Sequence, residues 1–195
     1  MTGDEDVEPS HDSQPAEPTE LFGPIDAGAL REIRDLVVNQ EPLVEEASLD
    51  DPLNPQTLSV DLSDGVGVAS TARIDIRWSL AGNYAAHYTD TQGRDFRFDC
   101  HPKPDAPTRH FHPPPDAPSR PVEPSCITVR EAPLVTRAVL QRWRYAYTNG
   151  TFEGLNDAEA SRREPHNGNS TAAMPNRKRF KALTSRNLVF GSIRP

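Results

Sequence analysis

His101, His110 and His112, half of the chain's six histidines, fall in one run, DCHPKPDAPTRHFHPPPD (residues 99–116). His110 and His112 form an H-x-H pair. In an extended segment, side chains i and i+2 point the same way, so both imidazoles can address one ion or one substrate atom. Asp99 or His101 would supply a third donor. Histidine's unperturbed pKa lies near working pH, which suits proton transfer at an RNA 2′-hydroxyl. Arg97 precedes the run and Arg109 lies within it, and a guanidinium fork matches phosphate oxygens.

Three readings of this run stay open. In the first, a divalent metal such as zinc sits at Asp99, His101, His110 and His112. In the second, no cofactor is present. His101, His110, His112, Arg97 and Asp99 carry acid–base and phosphate chemistry, with Arg77, His87 and Arg109 contacting substrate. In the third, the run is a structural loop whose imidazoles bond carbonyls that the prolines leave unpaired. No phosphate-cradling glycine loop, nucleophile elbow or CxxC pair offers a competing site.

The elements that must position these residues are legible in the periodicity. Asp26 reads as the N-cap of a helix over 27–39, with Leu30, Ile33, Leu36 and Val37 on one stripe. From residue 57 the period becomes two. Leu58, Val60 and Leu62 mark one strand, and Ile74, Ile76, Trp78 and Leu80 mark a second over 72–80. Tyr84, Ala86 and Tyr88, then Phe96, Phe98 and Cys100, mark two more strands around a turn at 90–93. Alternation then places Arg73, Asp75, Arg77, His87, Arg97, Asp99 and His101 together on the opposite face. Cross-strand charge pairing alone would explain the arginines. Prolines exclude 102–124 from sheet interior. Pro133 opens a helix to about residue 147, with a stripe at Val135, Val139 and Trp143.

The expected architecture is α+β: an antiparallel sheet of about four strands with two amphipathic helices packed on one face. Residues 1–22 read as a disordered acidic segment, 23–147 as the domain, and 148–195 as a basic, disordered tail. Hydrophobic residues are 35% of the 195, below the usual ~45–50%, and there are 20 prolines, which fits an ordered centre with tails.

Charge is uneven. Residues 1–129 hold 9 Lys and Arg against 24 Asp and Glu, a net −15; residues 130–195 hold 12 against 5, a net +7. An acidic body disfavours nucleic acid and anionic membranes at low salt. However, only Lys103, Lys178 and Lys181 are lysines, and this Arg-rich, Lys-poor, acidic usage resembles proteins of salt-loving archaea. In molar salt the Debye length is about 3 Å, so the imbalance does not argue against an RNA substrate. Two cysteines, Cys100 and Cys126, do not make a disulfide framework. No secretory signal and no membrane-length apolar run is present, so a cytoplasmic protein is expected.

The runs IDIRWSLAGNYAAHY (74–88), FRFDCHP (96–102) and HFHPPPD (110–116) resemble the TumE-type toxins of toxin–antitoxin systems. The resemblance extends more loosely over about 27–145. It implies a ribonuclease toxin encoded beside a helix-turn-helix antitoxin, hence a small DNA-binding partner and an RNA substrate. It directs attention to Arg97, Asp99, His101, His110 and His112. The tail after Thr148 departs from the family pattern. A non-catalytic metal-binding or protein-interaction domain is the alternative.

Overall fold

The computed structural model describes residues 23–159, and the expected segment 1–22 and most of the expected tail, 160–195, lie outside them. The chain runs α1 (Ala27–Gln40), β1 (Val44–Leu49), β2 (Leu58–Leu62), β3 (Ala72–Trp78), β4 (Tyr84–Asp90), β5 (Asp95–Cys100), β6 (Arg109–His112), β7 (Glu123–Pro124) and α2 (Ala132–Asn149). All seven strands form one antiparallel meander in sequence order, each pairing with its predecessor. The α+β class is as expected; among the described residues seven strands stand where about four are expected.

The three added strands have separate causes. In β1 two glutamates interrupt the apolar alternation, because this strand is a sheet edge whose Glu45 and Glu46 face solvent. Charge at an edge blocks pairing with another chain. Strand β6 sits inside the proline-rich stretch, where Arg109–His112 is a proline-free window that can donate to its neighbours. Strand β7 has only two residues and closes the other edge.

The first helix is capped as its sequence predicts: the Ala29 N–H donates to Asp26 Oδ1 at 2.9 Å. Leu30, Ile33, Leu36 and Val37 are buried. The second helix starts beside Pro133 and ends at Gly150, whose φ of 68° is a left-handed conformation that favours glycine. Gly67 lies against that cap, and a Cβ there would come within 2.9 Å of the Gly150 carbonyl oxygen. Val37 of α1 and Val135, Val139 and Leu140 of α2 line one internal gap with Ile74, Ile76, Trp78 and Tyr84. Both helices therefore cover the same sheet face. Leu80 departs from its expected place: it lies beyond β3 in the turn and is 66% exposed. The Arg144–Glu41 ion pair and an Arg137–Gln40 hydrogen bond of 3.2 Å tie the helices together.

The packed body continues past residue 147. Phe152 meets Tyr88 and Phe96 edge-on at 5.7 and 5.8 Å, and Leu155 is buried. Asn156 Oδ1 accepts from the Cys126 N–H at 2.9 Å. Among the described residues no helix is long and apolar enough to cross a membrane.

A buried carboxylate holds the turn between β4 and β5. Asp90 accepts from Arg94 Nε and Nη2 at 3.0 and 2.7 Å, from the Gln92 N–H at 2.9 Å and from the Tyr88 hydroxyl at 3.1 Å. Burial opposes ionisation, but Arg94 and the turn N–H groups outweigh it and hold the carboxyl below its ordinary value. A depressed native pKa gives stability that is present above the unfolded pKa of about 3.9 and is lost as pH falls through the native value. Asp90→Asn should thus lower the urea midpoint at pH 7. Its stability should also fall less than the parent's below about pH 4. Parallel acid limbs for the two proteins in urea titrations would refute this.

Candidate functional site

The sheet register brings polar side chains into two rows on the face away from the helices. One row reads Ser59, Asp75, His87, Arg97 and His112 across β2 to β6. The adjacent row reads Arg77, Ala85, Asp99, His110 and Pro124 across β3 to β7. The expected convergence occurs where β5 meets β6. Arg97 lies opposite His112, and Asp99 lies opposite His110.

Asp99 is the centre of the cluster and has no exposed surface. Its Oδ2 lies 3.2 Å from His112 Nε2, 3.4 Å from His101 Nε2 and 3.6 Å from His110 Nε2. Arg97 Nε stands 2.8 Å from the same oxygen. Burial opposes the charge on Asp99, but the three imidazoles and Arg97 prevail and hold its carboxyl well below the usual carboxylate range. His110 and His112 are fully buried, His101 nearly so. The Arg97 side chain keeps 16% of its surface in water.

The other ring nitrogens explain how the imidazoles are aimed. His101 Nδ1 is 3.0 Å from the Pro102 carbonyl, His110 Nδ1 is 2.9 Å from that of Pro107, and His112 Nδ1 is 2.6 Å from that of Pro118. A carbonyl oxygen only accepts, so each Nδ1 carries the proton. The Nε2 edges then turn toward Asp99 as lone pairs unless a ring gains a second proton. Arg97 Nη2 approaches His112 Nε2 at 2.9 Å, as a donor facing an acceptor. His110 Nε2 and Asp99 Oδ1 are buried with no hydrogen-bond partner among the described residues. The proline carbonyls do bond the imidazoles, as the structural reading of the loop expects. They also leave three Nε2 atoms gathered around one carboxylate, as lone pairs on neutral rings or as donors on protonated ones.

The other sequence candidates lie farther away. His87 sits beside Arg97 in the first row but is half-exposed and faces Asp95 at 3.4 Å. Arg77 is two strands from Asp99, about 10 Å at sheet spacing. Arg109 pairs with Cys100 and so projects to the helix side, away from His110 and His112. Arg73 pairs with Asp61 at 2.8 Å, as cross-strand charge matching predicts. Cys100 and Cys126 are free, half-buried thiols whose pKa values burial raises, which suits packing rather than nucleophilic attack.

A family model described as "Toxin TumE" matches residues 33–148. That span holds the α1 stripe from Ile33 onward, the α2 stripe, the seven strands and every member of the Asp99 cluster. The chain belongs to the TumE toxin family. It is therefore the toxin component of a toxin–antitoxin system, and an antitoxin is its partner. No curated protein and no solved structure matches it. The matched region of this TumE protein is close to the stretch that the resemblance covers, and it contains the three motif runs.

Proposed function

We propose that this TumE toxin acts by cleaving RNA, with the Asp99 cluster as its chemical centre and Arg97 as its phosphate contact. The observation that carries this reading is the convergence of three imidazole Nε2 edges and one guanidinium on a single carboxylate. Phosphodiester cleavage needs a group that takes the proton of the attacking hydroxyl, and a cation for the charge that develops on phosphorus oxygens. An imidazole supplies the first and Arg97 the second. Substrate would approach past Arg97 and His101, the members of the cluster that touch solvent. The neighbouring row position, His87, and the more distant Arg77 extend this polar face as backbone contacts. The antitoxin in this reading is a small DNA-binding protein, for which the acidic body offers a complementary surface.

The test is induced expression with growth and total RNA integrity followed together. Growth should stop and RNA should fragment. The pair of substitutions His110→Ala and His112→Ala, each made separately, should restore both. Arrested growth with intact RNA, or undiminished cleavage in both variants, would overturn the reading.

A further inference from the structure

We infer that Asp99, His110 and His112 form a binding site for one divalent transition-metal ion of the zinc class, with His101 at its solvent edge. This deepens the catalytic reading of the same cluster, although it stands on donor geometry and not on RNA cleavage.

Four observations carry it. First, one ligand atom from each of Asp99, His110 and His112 lies within 4.8 Å of the others, all in buried residues. Second, the spacing between the carboxylate and each imidazole fits. Zinc holds nitrogen and oxygen donors tetrahedrally at about 2.0–2.1 Å, which separates the donors by about 3.3–3.4 Å. The three Nε2 atoms stand 3.2, 3.4 and 3.6 Å from Asp99 Oδ2. Third, each imidazole donates its Nδ1 proton to a backbone carbonyl. That is the supporting arrangement metal-bound histidines use to fix tautomer and ring orientation. Fourth, His110 Nε2 is buried with no hydrogen-bond partner among the described residues. The Nε2 lone pair of a neutral imidazole repels the carboxylate it faces, and a proton on the ring or a cation at the common focus reverses that.

Imidazole and carboxylate donors suit zinc, iron(II) and their neighbours better than magnesium or calcium. Three donors, with His101 outside the set, leave a fourth position for water or substrate, the pattern of catalytic rather than structural zinc. Such an ion would lower the pKa of a bound water. Arg97 is the competitor. It stands 2.8 Å from Asp99 Oδ2 and 2.9 Å from His112 Nε2, so ion and guanidinium contend for two donors. Asp99 Oδ1, unpartnered among the described residues, is the acceptor to which a displaced Arg97 can turn.

The experiment is elemental analysis of the full-length purified toxin, followed by chelation and titration with zinc and with cobalt(II) alone. One equivalent of metal is expected, with a fall in melting temperature on chelation. Cobalt(II) should give the visible absorption of a low-coordinate N/O site. His110→Ala should weaken binding by more than the ~10–100-fold that loss of a supporting partner costs. Arg97→Met should bind zinc at least as tightly as the parent. If His110→Ala does not fold, Arg97→Met and the cobalt spectrum of the parent still decide the matter. A metal-free parent that takes up neither ion and is indifferent to chelator overturns the metal site. If that same metal-free protein still cleaves RNA, the metal site falls and the catalytic reading stands. Stoichiometric metal without RNA cleavage sinks the catalytic reading and leaves the metal site standing.

Discussion

Asp99→Asn is expected to destabilise the chelated, metal-free protein by about 3 kcal/mol and to abolish toxicity. Removing one partner of a buried ion pair costs roughly 3–5 kcal/mol, because it strands the other charge. The low end applies here since the Arg97 side chain keeps 16% of its surface in water. Asparagine matches the shape of the carboxylate, so the loss reports charge and not a cavity. Adding Arg97→Met to the same chain should return much of that stability, since the stranded guanidinium then disappears with its partner. Urea denaturation of the parent, both single variants and the double variant closes the cycle. Additive single effects would mean that Arg97 and Asp99 do not depend on each other. Toxicity should stay lost in the double variant, because stability and chemistry need different things from this pair.

Trp143→Ala should cost about 3–5 kcal/mol, the range for truncating a buried large aromatic. Trp143 has no exposed surface and stacks on Tyr147 at 5.5 Å, with the Arg144 guanidinium 5.0 Å from its ring centre. It belongs to the buried cluster that also holds the apolar side chains of the sheet, so the loss is felt beyond α2. Trp143→Phe should cost much less than the alanine variant. The indole Nε1 has no hydrogen-bond partner among the described residues, so phenylalanine removes a buried orphan donor along with the extra volume. Equal losses for phenylalanine and alanine in urea melts would show that the indole ring edge, rather than aromatic filling, holds the contact.

The same residues show what sequence reveals and where it stops. Both helices are plain in the period of their apolar stripes, and Ala27–Gln40 and Ala132–Asn149 lie within two residues of the expected ends. Strands β2 to β5 are plain because one face of each is buried and the other wet, so alternation survives. Strand β1 escapes notice because an edge strand answers to solvent and carries glutamates. Strand β6 escapes because three of its four residues, Arg109, His110 and His112, are polar types that burial would not predict. The site itself is legible in part. Alternation puts Arg97, Asp99 and His101 on one face, but only the β5–β6 register says that His110 and His112 stand across from them. The same register sends Arg109 to the other side. The loop reading anticipates imidazole–carbonyl bonds, but nothing in the spacing says that they fall to Pro102, Pro107 and Pro118, since backbone orientation in a loop has no side-chain signature.

The sequence-ordered meander has a kinetic consequence. Every strand hydrogen-bonds to the strand made just before it, so sheet formation needs only short loop closures and the domain has few long-range strand pairings to wait for. During synthesis the sheet can grow one strand at a time as the chain leaves the ribosome. The pairing of β5 with β6 is complete once residue 112 has emerged, before α2 exists. The docking of α2 beside α1 joins the first and last elements of the domain. The Asp99 cluster can therefore assemble on the nascent chain, while the helix that stabilises the domain arrives last. A partner that captures the toxin before α2 docks would meet the chemistry already in place on a sheet whose apolar face is covered by α1 alone.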